Sequence, residues 1–214
     1  MIGSFGRRRA DPLACSADAA EYLVIDLETA GPDPALDSIV SYGVVPIRDG
    51  VVLSSQGEYG LVRPGTAMAA PSIAIHTLRP CDLLAAPPEG EAVHRLDQLL
   101  SGRVLVAHSA WFECDLLKRA FRRNGRVFAP PVIDTAAMAR AAGLAPAGHH
   151  GEPGLEWLCD SLGVPVTDRH HALGDAVTAA QLFVVLAARL TGLGYSTARS
   201  LVELTAAERH LGLR

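Results

Sequence analysis

A chain of 214 residues holds one domain, or one domain with an extra arm. With 49% hydrophobic residues it can bury a sizeable core. Its net charge of −4 argues against a broad basic face of the kind that grips duplex DNA, so any contact with nucleic acid should be local or helped by metal ions.

Residues 1–20 read as a flexible N-terminal arm; Arg7 to Arg9 have no apolar stretch behind them, so the start does not read as a signal peptide. "EYLVIDL" (21–27) is a β-rich apolar run suited to a central strand. "AGPDPALDS" (30–38) is turn chemistry. "IVSYGVVPI" (39–47) and "VVLSSQGEYGLV" (51–62) flank Asp49-Gly50, a hairpin signal, so three strands form an antiparallel meander. Beyond Pro64-Gly65 the pattern is helical but broken by Pro71, Pro80, Pro87 and Pro88. A helix follows over 89–101, where Val93, Leu96, Leu99 and Leu100 recur at helical spacing. "RVLVAH" (103–108) is a short buried strand, and a helix follows over 111–124. "PVIDT" (131–135) is a fifth strand, then come helices over 135–142, 154–162, 170–190 and about 197–210. The spacing predicts an α/β domain over 21–190, with a mixed five-stranded sheet in the order 3-2-1-4-5 and helices on it. Residues 191–214 form a helical tail packed on or extending the domain.

The four cysteines (Cys15, Cys81, Cys114, Cys159) lie far apart without a CxxC pair. That argues against a zinc knuckle or disulfide framework and fits a reducing cytoplasm. Cys114 and Cys159 read as core fillers. No uninterrupted apolar run is long enough to cross a membrane.

In "VIDLETAG" (24–31), Asp26 and Glu28 stand two apart on a strand and so share a face. Adjacent carboxylates are costly unless a cation shares them or one takes a proton. Two more acidic sites follow: Glu113 and Asp115 at the start of a helix in "VAHSAWFECDLL", and His170, His171 and Asp175 in "HHALGDAVTAAQLF". Clustered carboxylates without cysteine suit Mg²⁺ or Mn²⁺. Two such ions roughly 3.5–4 Å apart are the usual machinery for in-line attack on a phosphodiester.

These segments resemble the three motifs of the DEDDh 3′–5′ exonucleases, the superfamily of polymerase proofreading subunits, ribonuclease T and oligoribonuclease. Asp26-Leu27-Glu28-Thr29-Ala30-Gly31 matches the first, Ala107-His108-Ser109-Ala110-Trp111-Phe112-Glu113 resembles the second, and His170-His171-Ala172-Leu173-Gly174-Asp175 matches the third. "VIDT" (132–135) and "SIAIHTL" (72–78) also sit where the family has similar segments. The resemblance runs from about residue 21 to 190 and implies a ribonuclease H-like fold. It implies hydrolysis at 3′ ends that releases nucleoside 5′-monophosphates with two Mg²⁺ or Mn²⁺ ions. Asp26, Glu28 and Asp175 would hold the first ion, with Asp26 bridging to the second. Glu113 would act directly or through water, and His170 would be the general base for the attacking water. Thr29, the Ala30 backbone and Phe112 would meet the terminal nucleotide of single-stranded DNA or RNA.

The chain departs from the family at three positions. Glu113 stands for the usual Asp, Ser109 for the usual Asn, and Pro32 follows Gly31 where many members have Leu. Asp115 is the other acid near motif two, but two positions along a helix it points about 200° away from Glu113. His171 reads as a neighbour without a catalytic part, and His149 and His150 as an exposed loop pair more than a metal site. Lys118, Arg119, Arg122, Arg123 and Arg126 form one helical stripe opposite Leu116, Leu117, Ala120 and Phe121. A solvated outer surface is favoured for it over a phosphate track. Three functions remain: a free-standing exonuclease, a proofreading or repair module tethered to a polymerase or helicase, and a catalytically weakened relative that binds nucleic acid or protein.

Overall fold

The structure, a computed structural model, describes residues 12–144 and 152–212. The expected histidine pair His149 and His150, and the arm as far as residue 11, lie outside the described residues.

Strand β1 (Tyr22–Thr29) is central. Antiparallel β2 (Ile39–Arg48) flanks it on one side, and parallel β5 (Val104–Ala107) followed by β6 (Val132–Asp134) on the other. Beyond β2 lie β3 (Val51–Val52) and β4 (Glu58–Leu61), both antiparallel to it. Joining β3 and β4 as one interrupted strand, the order is the expected 3-2-1-4-5, with the second strand antiparallel to the rest. The turn from β2 to β3 has Asp49 and Gly50 both left-handed, at φ 51° and 70°, as a two-residue hairpin of this type requires.

The third strand is a correction. It is not continuous over 51–62, because a 3₁₀ turn at Ser54–Gln56 divides it. Opposite this turn stands Pro46 of β2, whose carbonyl accepts from Leu53 N at 2.9 Å. In an antiparallel ladder a residue's N–H and C=O face the same neighbour, so the missing donor of Pro46 also faces this strand. The ladder has nothing to offer there, and the chain leaves it before pairing again at Glu58.

The alternation of β1 distributes two cores. Tyr22 and Val24 face helix α6 (Ala172–Gly192), with Val45, Val106, Phe183 and Leu186. Leu23, Ile25 and Leu27 face α2 (Glu89–Leu100) and α3 (Trp111–Arg123), with Leu96, Leu117 and Phe121. By the same period of two, Asp26 and Glu28 lie on the α6 face. Cys159 and Cys114 fill these two cores, one each. By length and composition α6 could cross a membrane, but 56% of its apolar window is buried inside the protein, as expected of a core helix.

Gly43 of β2 pairs with Asp26 of β1. A Cβ at Gly43 would lie 2.2 Å from the backbone of Ala172 and Leu173, at the start of α6. This close approach brings the first turn of α6, and Asp175 with it, down onto the sheet. Gly43→Ala is expected to push that turn away and cost about 1–3 kcal/mol or more, since the obstacle is backbone. Thermal unfolding of the metal-free protein reads the loss, and an unchanged midpoint would contradict the packing account.

Residues 12–20 correct the expectation of a loose arm. Ala17 N donates to Ser196 O at 2.9 Å, Ala198 N donates to Cys15 O at 3.3 Å, and the Tyr22 hydroxyl donates to Ala17 O. Ala17 and Ala20 are buried. The start of helix α7 (Ala198–Gly212) is thereby tied to residues 15–17. The helix packs on β6 and on α4 (Thr135–Ala141), with Thr205 Oγ1 3.4 Å from Val132 O and Arg140 3.6 Å from Glu208.

Candidate active site

At the carboxyl end of β1, oxygens of Asp26, Glu28 and Asp175 all lie within 4.8 Å of one another. Asp175 is buried on the first turn of α6, and Glu113 is buried on the first turn of α3. One oxygen of each, Asp175 Oδ1 and Glu113 Oε2, is buried without a hydrogen-bond partner. Orphaned carboxyl oxygens beside other carboxylates are costly in a finished core and fit hard-cation ligands awaiting an ion. The donor set, all oxygen with no cysteine, fits the same group.

The electrostatics agree. Burial, then the charges of Glu113, Asp175 and Glu28, push the Asp26 carboxyl well above the ordinary carboxylate range, with Arg169 opposing. Burial first, and Asp175 second, raise Glu28 to about 7. Burial chiefly raises Glu113 to about 8. These are the shifts expected of acids crowded together without their cation.

Asp115, the alternative acid, is exposed on α3 and lies 3.7 Å from Lys118. Glu113→Ala is therefore expected to lower both Mn²⁺ affinity and activity at least tenfold, and Asp115→Ala to leave both near wild type. Calorimetry and a nuclease assay on the two variants check this. Loss confined to Asp115→Ala would reverse the assignment.

The turn from β5 to α3 is pinned by β6. Asp134 Oδ1 accepts from Ser109 N at 3.1 Å while capping α4 through Ala136 N at 2.9 Å. His108 Nδ1 lies 2.9 Å from Thr135 Oγ1, and burial pulls the imidazole down to about 4, so it stays neutral. Ser109 is left-handed, at φ 54°. Asn adopts that conformation more readily than Ser, which gives a backbone reason for the family's usual residue there.

The end of β1 is braced by α1 (Ala70–His76). His76 Nδ1 accepts from Leu78 N at 3.1 Å, so Nε2 carries the proton and donates to Thr29 O at 3.2 Å. Ala69 N donates to Ala30 O at 2.7 Å, and Ala30 N to Ser38 O at 2.8 Å. The Thr29 hydroxyl donates to Gly31 O at 2.7 Å. The polar groups of Thr29 and Ala30, both expected at the nucleotide, are thus already engaged within the protein. Phe112 is half-buried and meets Trp111 edge-on, with ring centroids 5.6 Å apart.

His170 lies on the loop ahead of α6, with φ 62°, and its side chain is exposed. Its N–H donates to Asp175 Oδ2 at 3.0 Å. Arg169 donates to the same oxygen at 2.5 Å and also bonds Glu156 Oε1 at 3.0 Å. Thr167 N donates to Thr178 Oγ1 at 3.0 Å, and a Cβ on Gly174 would sit 2.3 Å from Asp168 O. The loop is fastened to α6 at several points. His171 turns the other way and stacks on Tyr59 of β4 at 4.3 Å.

Helix α3 ends at Arg123, so Arg126 of the expected basic stripe lies beyond it, and most of these charges meet the chain's own groups. Arg123 pairs with Glu89, Arg126 with Asp97 and Lys118 with Asp115, while Arg119 donates to the Pro34 carbonyl.

Motif reading passed over His76, Asp134, Gly43 and Arg169. His76 and Asp134 lie in segments that carried a resemblance, "SIAIHTL" and "VIDT", though the Thr29 carbonyl and the Ser109 N–H that they bond lie far away in the chain. Nothing in the local pattern marks Gly43 or Arg169.

The exonuclease family model RNase_T matches residues 23–183. The chain belongs to this exonuclease family. A DNA polymerase III subunit epsilon-like protein from Rhodobacter capsulatus is 33% identical over 183 residues, covering 84% of this chain and 25% of the relative. A PolC-type DNA polymerase III from Staphylococcus haemolyticus is 26% identical over 82% of this chain and 12% of its own length. The chain therefore spans a quarter or less of these curated relatives. Among solved structures, E. coli exonuclease I in complex with a dT13 oligonucleotide superposes with TM-score 0.69 at 19% identity, over 81% of this chain and 42% of that one. Exonuclease X in complex with 5′ overhanging duplex DNA gives 0.67 at 22% identity, over 86% and 99%. At that identity the two structures speak for the fold: a ribonuclease H-like α/β sheet flanked by helices.

Proposed function

We propose that this exonuclease-family chain removes nucleoside 5′-monophosphates from the 3′ ends of single-stranded DNA or RNA, using two Mg²⁺ or Mn²⁺ ions. The observation that carries the reading is the convergence of Asp26, Glu28 and Asp175 within 4.8 Å, beside the buried Glu113. Asp26, Glu28 and Asp175 would hold one ion, with Asp26 shared towards the second and Glu113 completing the set. Bound there, the ions supply Lewis acidity at the scissile phosphate, for the attacking water and for the departing 3′ oxygen.

The chain's own residues supply the rest. His170 takes the proton of the attacking water, from a loop held beside Asp175. Phe112 packs near the terminal base, while Thr29 and Ala30 shape the wall behind it, their backbone held by His76, Ser38 and Ala69. The side chain of His170 is exposed, so substrate can reach it without opening the core.

A second reading, a proofreading or repair module beside a polymerase or helicase, draws on the relatives' printed names and on the short share of their length that this chain spans. A catalytically weakened relative is disfavoured by the buried, unpartnered oxygen of Glu113. A cytoplasmic setting belongs to the same proposal. Matched single-stranded DNA, RNA and short oligonucleotides, each with Mg²⁺, Mn²⁺ or EDTA, test the activity and rank the substrates. Metal-dependent release of mononucleotides is expected from at least one. Binding without cleavage on all of them would favour the weakened relative.

A further inference from the structure

The site carboxylates have one cationic partner among the described residues, Arg169. Its guanidinium lies 2.5 Å from Asp175 Oδ2 and 3.0 Å from Glu156 Oε1 on α5 (Leu155–Leu162). The two ends of this bridge differ. The Asp175 side chain is 4% exposed, whereas that of Glu156 is 63% exposed, so Arg169 connects the buried site to its solvent rim. Its charge also reaches Asp26 and Glu28, where it opposes the repulsion of the other acids.

Asp175 divides its two oxygens between tasks. Oδ2 accepts from both Arg169 and the His170 N–H, and Oδ1 is left buried without a partner. We propose that Arg169 is a resident counter-ion of the acid site, balancing its charge in the metal-free protein and giving up that role when a divalent cation loads. This rests on reading the acids as a metal site.

The physical argument is electrostatic. A cluster of four carboxylates without a cation is strongly self-repelling, and one guanidinium at its edge relieves part of that. A divalent cation entering through Oδ1 meets the same positive charge as a repulsion. Arg169 therefore lowers the cost of the empty site and weakens the hold on the ion by the same interaction. Because Arg169 and His170 are consecutive and share Oδ2, a shift of Asp175 towards an ion changes the anchor of the base loop as well.

The experiment is Mn²⁺ titration by calorimetry on the wild type, Arg169→Gln and Arg169→Lys, each with its metal-free unfolding midpoint recorded to confirm the fold. Arg169→Gln removes the charge and keeps a hydrogen-bonding side chain. It is expected to bind Mn²⁺ about tenfold more tightly, the Coulomb gain being cut by partial solvent exposure. Arg169→Lys keeps the charge but not the fork that joins Asp175 to Glu156, and its affinity is expected to lie closer to wild type than that of Arg169→Gln. Unchanged or weaker binding by Arg169→Gln overturns the counter-ion role and leaves Arg169 as an orienting group for Asp175. A wild type that takes up no Mn²⁺ overturns the metal reading as well, so the two failures are distinct. If Arg169→Gln does not fold, the Arg169 Nη–H resonances of the wild type decide, since Nη1 is the atom that donates to Asp175. They are expected to shift as Mg²⁺ saturates the site, and their standing still overturns the proposal.

Discussion

Replacing His170 by alanine is expected to slow 3′-end hydrolysis by about 10²–10⁴-fold, the usual loss for a positioned general base, and His171→Ala to leave it near wild type. Five residues separate His170 from Asp175. On one continuous helix they would point about 140° apart and could not serve one site. Helix α6 begins only at Ala172, so His170 is free of that geometry, and its N–H is tied to Asp175 itself. His171 stacks on Tyr59, which directs its ring towards β4. Both variants are expected to keep the metal-free unfolding midpoint and the Mn²⁺ affinity of wild type, which separates a lost base from a lost fold or a lost ion. Equal activity of His170→Ala and wild type across pH 6–9 would remove the role.

The second large effect is the dependence of stability on pH without metal. Glu28 and Glu113 rise from an ordinary 4.5 to about 7 and about 8, and Asp26 is raised too. A carboxyl whose folded pKa is raised binds more protons folded than unfolded, so stability falls with rising pH. The contribution is fully present below about pH 4.5 and is lost as pH rises through about 7 and then about 8. At about 1.4 kcal/mol per unit, shifts of this size withdraw on the order of several kcal/mol across that window. Divalent ions require the deprotonated acids, so Mn²⁺ should restore stability above pH 7 and bind more tightly at pH 8 than at pH 6, releasing protons as it does. Urea unfolding at pH 5, 6, 7 and 8, with and without Mn²⁺, checks the sign. A metal-free protein that gains stability from pH 5 to 8 would contradict the buried, cation-poor site described here.

The central strand was readable because burial on both faces leaves a continuous apolar run in Tyr22 to Ile25. The two acids that follow stand out against it, and the period of two already places them on one face. The hairpin was readable because Asp49-Gly50 is one of the few pairs that adopt two left-handed residues at low cost. The break between β3 and β4 was present in the sequence as Pro46, but only the register shows which way its missing donor points. The docking of residues 12–20 was hidden, since Cys15 and Ala17 bond Ala198 and Ser196 at the far end of the chain. Arg169 was hidden for a related reason. Its meaning depends on Glu156, thirteen residues earlier and on another helix, and an arginine in a polar loop carries no local sign of an acidic partner.

The most direct test of the account is digestion of a 5′-labelled single-stranded oligonucleotide with Mn²⁺, comparing the wild type with Asp175→Asn, which keeps the shape of the site and removes one of its charges. The account predicts a ladder shortening stepwise from the 3′ end with the wild type, abolished by EDTA, and none with the variant. Shortening that persists undiminished in Asp175→Asn, or a wild type that leaves the strand intact on every substrate offered, would contradict it.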